Sequence, residues 1–195
     1  MTGLSAAEFG LLNALWLRKM ATRGMLEENA DVPSAVAEPF LEAAADRDLV
    51  RALGDYIVLT DGGRRAVLDH YDGEYRSLRE APEFLEWYER FEGYNSRFLG
   101  LMSAWQTGTD EAQERTYSRL VRVVERHVDA LDRAAGWIPR YRHYAARFRR
   151  SLDNVDSGRA DYVSSPVVDS LHNIWFEFHE DLLAVLGRPR ESVED

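Results

Sequence analysis

Apolar side chains recur at three- and four-residue steps over most of this chain, the spacing of amphipathic helices. Only one short stretch departs from it. Near the N-terminus, Ser5 with Glu8 three residues on makes a capping box, and Leu12, Leu15 and Trp16 carry a helix to about Met20. Arg23 to Asn29 predicts a second helix. Asp31 to Asp48 predicts a third, with Pro39 in its first turn or at a kink. Leu49 to Leu53 and Tyr56 to Thr60 read as two short strands across a Gly54-Asp55 turn. Asp61-Gly62-Gly63 reads as a further turn, and Arg64 to Tyr71 returns to helical spacing.

The second half is more aromatic. From Glu83 to Gln106, Phe84, Phe91, Phe98 and Trp105 repeat every seven residues, with Trp87, Tyr88, Tyr94, Leu101 and Met102 between them. This is a bundle or coiled-coil seam, with Asn95 lying in it. Thr107 to Asp110 predicts a turn, and Asp110 with Gln113 a capping pair. The next helix bears Tyr117, Leu120, Val121, Val124, Val128 and Leu131 as its apolar face, His127 near the edge, and Gly136 as its end. Trp137 to Leu152 predicts a helix with Trp137, Tyr141, Tyr144 and Phe148 inward and Arg140, Arg142, Arg147, Arg149 and Arg150 outward. Residues 153–164 read as a polar loop. The last helix is expected over Ser165 to Arg190, capped by Ser165, opened by Pro166 and stopped by Gly187 and Pro189. Its stripe is Val167, Val168, Leu171, Trp175, Phe178, Leu182, Val185 and Leu186.

The expected fold is therefore mainly α: an N-terminal winged helix-turn-helix over residues 1–76, an antiparallel four-helix bundle over 83–188, and an acidic tail over 189–195. The charged, proline-ended stretch Arg76 to Pro82 reads as a rigid junction. The wording RDLVRALGDYIVLTDGGRRAVLDHY resembles that of many winged-helix domains. Such domains serve DNA binding and protein contacts alike. A recognition helix needs cations, yet the third helix offers Glu38, Glu42, Asp46 and Asp48 against Arg47. The reading favoured is a packing or docking module rather than a DNA reader.

Composition agrees. Net charge is −10 over 195 residues, which disfavours phosphate-driven capture of nucleic acid. There is no cysteine, hence no disulfide and no thiolate chemistry. Neither a signal peptide nor a membrane-length apolar run is present, and the expected location is the cytoplasm. Glycine-rich phosphate loops, GxSxG elbows and HExxH are missing.

The concentrated chemistry is on the last helix. His172 and His179 flank Trp175, with Asp169 three residues before His172 and Phe176 alongside. Two turns separate the histidines by about 10 Å, too far to share a metal, so no metal site is expected. Asp169 is positioned to orient His172 as a base. One reading makes each histidine a half-buried polar tip tied to a neighbouring helix. The other gives His172, His179 and Asp169 catalytic roles beside a pocket formed by Trp105, Trp175, Tyr94, Asn95 and Phe176, suited to a small planar molecule. The arginine-rich helix, through Arg140, Arg147 and Arg150, reads as a solvated face or as a surface for an acidic partner.

FEGYNSRFLGLMSAWQT together with SPVVDSLHNIWFEFHEDLLAVLGRPR resembles a helical module of dikinase-type phosphotransferases, which use phosphoenolpyruvate or a swivelling phosphohistidine domain. The resemblance covers roughly residues 5–190. It implies an accessory subunit that binds no nucleotide, with ATP and Mg on a larger partner subunit. Its task would be to hold a small, phenolic-type phosphoryl acceptor or to dock the catalytic chain. Two alternatives stand beside it: a ligand-responsive winged-helix transcriptional regulator, and a structural adaptor with a solid core.

Overall fold

A computed structural model of the chain describes residues 3–188. Among them the fold is mainly helical, with one three-stranded antiparallel sheet. The chain divides into two compact units. One comprises the residues up to Arg79 together with those from Glu180 onward, and the other is Glu80–His179.

In the first unit, α1 (Ala6–Arg18) opens with the capping box: the Ser5 amide donates to Glu8 Oε2 at 2.7 Å and the Glu8 amide to Ser5 Oγ at 3.3 Å. Strand β1 (Met20–Ala21), α2 (Arg23–Ala30) and α3 (Ser34–Asp46) follow, with Pro39 inside α3. Strands β2 (Val50–Leu53) and β3 (Tyr56–Leu59) form a hairpin whose turn uses Gly54 at φ +62°. The sheet order is β1-β3-β2, with Met20 opposite Val58 and Val50 opposite Leu59. β1 escapes periodicity arguments because two residues carry no alternation.

Helix α4 (Asp61–Glu74) begins earlier than its spacing announces. Thr60 caps it by accepting from the Gly63 amide at 3.1 Å, so Asp61-Gly62-Gly63 is a first helical turn and not a free-standing one. The glycine is needed: a Cβ on Gly63 would lie 2.0 Å from the Leu49 carbonyl oxygen. Inside this unit the buried Tyr71 hydroxyl lies 2.7 Å from Asn13 Oδ1 and 2.9 Å from Asp181 Oδ1.

The second unit follows a 3-10 turn at Arg76–Glu80. It contains α5 (Pro82–Thr107), α6 (Asp110–Ala134), α7 (Tyr141–Asp156), the short α8 (Asp161–Ser164) and the first turns of α9 (Leu171–Val185). The heptad rings Phe84, Phe91 and Phe98 are buried, as are Tyr141, Phe148, Trp175 and Phe178. At roughly 25 cal/mol per Å² of apolar area, rings of this size dominate the core.

Three boundaries differ from the spacing argument. α7 begins at Tyr141 rather than Trp137. Residues 153–164 are not all loop, because α7 runs on to Asp156 rather than ending at Leu152 and α8 lies within them. α9 begins at Leu171 rather than at Ser165: Asn173 Nδ2 donates to the Ser165 and Val168 carbonyls, folding 166–169 into a turn, and the Ser170 Oγ accepts from the Asn173 amide at 3.3 Å. Val167 is consequently 87% exposed and leaves the apolar stripe. Pro189, Arg190 and the acidic tail 189–195 lie outside the described residues, as does the side chain of Asp110.

Candidate functional site

The long aromatic run of α5 was expected to be core, and most of it is. One stretch of it instead floors a cavity of about 170 Å³ against α6, lined by Trp87, Arg90, Phe91, Tyr94, Ala130, Arg133 and Trp137. The floor is rigid. Trp87 Nε1 donates to the Ala130 carbonyl at 3.1 Å, fixing indole to helix α6. Phe84 and Trp87 stack at 5.7 Å, Trp87 and Phe91 at 6.3 Å, and Phe84 meets Trp137 edge-on at 5.6 Å. Ala130 keeps the space open, because its methyl stops short where a longer side chain would fill it. Arg90, Arg133 and Trp137 are exposed at the rim. Arg90 is held by Glu86 at 3.3 Å, whereas Arg133 has no ion-pair partner among the described residues. The cavity is thus a flat-walled apolar slot with one unneutralised guanidinium at its mouth.

Behind it sits a residue that the helical wheel assigned to an edge. His127 is fully buried, and neither ring nitrogen has a hydrogen-bond partner. Aromatic rings surround it: Trp175 at 4.5 Å, Phe178 at 4.8 Å, Phe91 at 5.3 Å, Phe148 at 5.5 Å and Tyr94 at 6.4 Å. Burial pushes its pKa down to about 3, so the imidazole is neutral. Phe91 and Tyr94 contact this ring and also line the cavity, so they form the wall between the two.

The arginine-rich face of α7 is interrupted at Arg147. This residue is 2% exposed and makes a two-pronged contact with Asp169, Nε at 3.0 Å and Nη2 at 2.6 Å, while Nη2 also meets Glu177 at 2.7 Å. Burial disfavours the guanidinium, but Glu177 and Asp169 outweigh it and raise its pKa. Asp169 therefore belongs to Arg147. The expectation that it orients His172, and that Arg147 faces a partner, gives way to an internal ion triad. Arg140 is half-buried at the start of α7 and Arg150 is exposed.

The remaining candidates are scattered. His172 is half-buried, and desolvation lowers its pKa. His179 lies 3.8 Å from Glu92 and 5.5 Å from the Phe91 ring. Neither histidine lines the cavity. Trp175 and Asn95 meet through an indole N–H donated to Asn95 Oδ1 at 3.0 Å, with Trp175 stacked on Phe98 at 4.0 Å, so both are spent on packing. Phe176 is 47% exposed. Trp105 contacts Tyr117 at 6.3 Å. Of the expected pocket, only Tyr94 faces the cavity. Two positions gave a readable signal: His127 is three residues from Val124 and four from Leu131, on the buried stripe, and Arg147 falls three after Tyr144 and one before Phe148.

Among the described residues no helix is long and apolar enough to cross a membrane, and no group of three or more His, Asp or Glu is arranged to hold a metal ion. No protein-family model, curated protein or solved structure matches the chain.

Proposed function

We propose that the helical unit, as an antiparallel bundle, receives a small planar organic anion, and that the chain is the acceptor-holding subunit of a dikinase-type phosphotransferase in the cytoplasm. The cavity between α5 and α6 carries the first half of this reading. An apolar cavity of about 150 Å³ accepts benzene. A volume of about 170 Å³ therefore suits one six-membered ring with a small substituent. Trp137, 38% exposed, and the half-buried Tyr94 offer ring surface for stacking, the buried Trp87 and Phe91 back them, and Arg133 offers the charge that a carboxylate, phenolate or phosphate monoester would meet. No imidazole or carboxylate lines the slot, so in this reading the chain binds and orients, and ATP, Mg and phosphoryl transfer belong to the larger subunit.

The second half rests on the resemblance of residues 91–107 and 165–190 to the phosphotransferase module. The first unit supports a docking role. Its order α1-β1-α2-α3-β2-β3-α4, with β1 beside β3, suits a winged helix. Its α3 exposes Glu38, Glu42 and Asp46, and Glu38 engages Arg23. That face repels phosphates, which counts against the transcriptional-regulator reading.

Titration calorimetry of the intact chain with benzoate, phenol, phenyl phosphate and cyclohexanecarboxylate tests the receptor half. The aryl anions should bind one to one, more tightly than the saturated acid, and Arg133→Ala should weaken them about tenfold, the loss expected for one charge-assisted contact. Absence of binding by all four compounds would refute it. Co-purification with an ATP-using phosphotransferase tests the subunit half separately.

A further inference from the structure

A second recess lies about two to three helical turns along the same α5–α6 seam. It is an open groove of about 500 Å³ whose lining includes Arg97, Gly100, Ala104, Arg119, Arg122 and Arg126. Four of these side chains are arginines and none is acidic, in a chain of net charge −10. Several other guanidiniums are neutralised: Arg23 by Glu38, Arg76 and Arg79 by Asp72, Arg90 by Glu86, Arg149 by Asp132, and Arg147 by Asp169 and Glu177. Arg97, Arg119, Arg122 and Arg126 have no hydrogen bond or ion pair with any described residue. Four uncompensated like charges around one recess repel one another, and an anion bound among them relieves that repulsion.

The arrangement also defines the anion. Arg119, Arg122 and Arg126 follow at three- and four-residue steps on α6, a span of about 10 Å, and Arg97 faces them from α5. That length exceeds one phosphate and matches several in a row. Gly100 and Ala104 leave the floor free of bulk, and nothing lies within 4 Å of a Cβ built on Gly100. On its other side α6 borders a groove bearing Glu125, Asp129, Asp153 and Asp156, with one cation, Arg149, that is paired with Asp132. This acidic strip, about one helix width away, repels any extended polyanion laid across α6, so a compact ligand is favoured over nucleic acid or an acidic protein surface.

We propose that the recess bounded by Arg97, Arg119, Arg122 and Arg126 binds the di- or triphosphate group of a small molecule, as free polyphosphate or as part of a nucleotide. This does not depend on the aryl-anion reading of the neighbouring cavity. The probes are sodium tripolyphosphate, pyrophosphate and ADP, titrated calorimetrically into the intact chain at low and moderate salt. Tripolyphosphate should bind one to one. Arg119→Glu/Arg126→Glu should weaken it at least about tenfold, with the circular dichroism spectrum and melting temperature retained because both positions are exposed. Arg51→Glu, at an exposed arginine on the β2–β3 hairpin, should leave it unchanged. ADP binding more tightly than pyrophosphate would identify a nucleotide, and equal affinities a free polyphosphate. The proposal is overturned if neither tripolyphosphate nor ADP binds saturably, if the charge-reversed variant binds as well as the parent, or if a DNA oligonucleotide outcompetes both.

Discussion

Replacing Arg147 with methionine removes the one cation of the internal triad while keeping most of its stem volume. In the parent, the 2%-exposed guanidinium satisfies Asp169 and Glu177 through contacts of 3.0, 2.6 and 2.7 Å. Without it, the buried Glu177 carboxylate, 8% exposed, and Asp169 both lose the guanidinium they share. Breaking a buried pair from one side costs about 3–5 kcal/mol. At roughly 2–4 °C per kcal/mol for a protein of this size, the melting temperature should fall by about 6–20 °C. The double variant Arg147→Met/Glu177→Leu should recover much of that loss, because two apolar side chains replace the buried pair and the remaining carboxylate, Asp169, is 28% exposed. Urea and thermal unfolding, followed by near-ultraviolet circular dichroism, measure both. A loss below about 1 kcal/mol for Arg147→Met, the range of exposed ion pairs, would refute the argument, as would a double variant no better than the single one.

Three other perturbations have definite outcomes. His127 is held neutral in the fold with its pKa near 3, while in the unfolded chain it titrates near 6.5, so its burial weakens the fold progressively as pH falls from about 6.5 towards 3. At pH 5 that cost is about 2 kcal/mol, and His127→Leu should remove it; urea midpoints of parent and variant that change identically between pH 7 and pH 5 would contradict this. Gly63→Ala should destabilise the first unit by more than about 2 kcal/mol, since its Cβ would stand 2.0 Å from the Leu49 carbonyl, and a thermal melt reports it. Asn95→Leu should cost about 1–3 kcal/mol by leaving the Trp175 indole N–H unpaired in the core, measured by chemical denaturation.

How much was legible in the chain follows from what each feature depends on. Helices α1, α2, α5 and α6 lie close to where spacing puts them, because that signal is local; the Ser5–Glu8 capping box also forms, whereas Thr109 rather than Asp110 precedes α6 and Gln113 donates to the Trp105 carbonyl. The start of α9 was not: Ser165-Pro166 reads as the opening, but Asn173 bonds back to two carbonyls and Ser170 caps the helix instead. The site was least legible. Trp175, Asn95 and Tyr94 are all aromatic or polar seam positions by spacing, but only tertiary packing decides that two of them bond to each other while the third borders a cavity. The catalytic expectation for Asp169 failed for a similar reason: an i,i+3 histidine is a weaker partner than a buried guanidinium arriving from α7.

The central claim, that the α5–α6 cavity holds a small aryl anion, is tested most directly by amide and indole NMR shifts of the intact chain during titration with benzoate and phenyl phosphate. The account predicts saturable shifts confined to the surroundings of Trp87, Tyr94, Ala130, Arg133 and Trp137. Shifts centred instead on His172 and His179, or none at millimolar ligand, would contradict it.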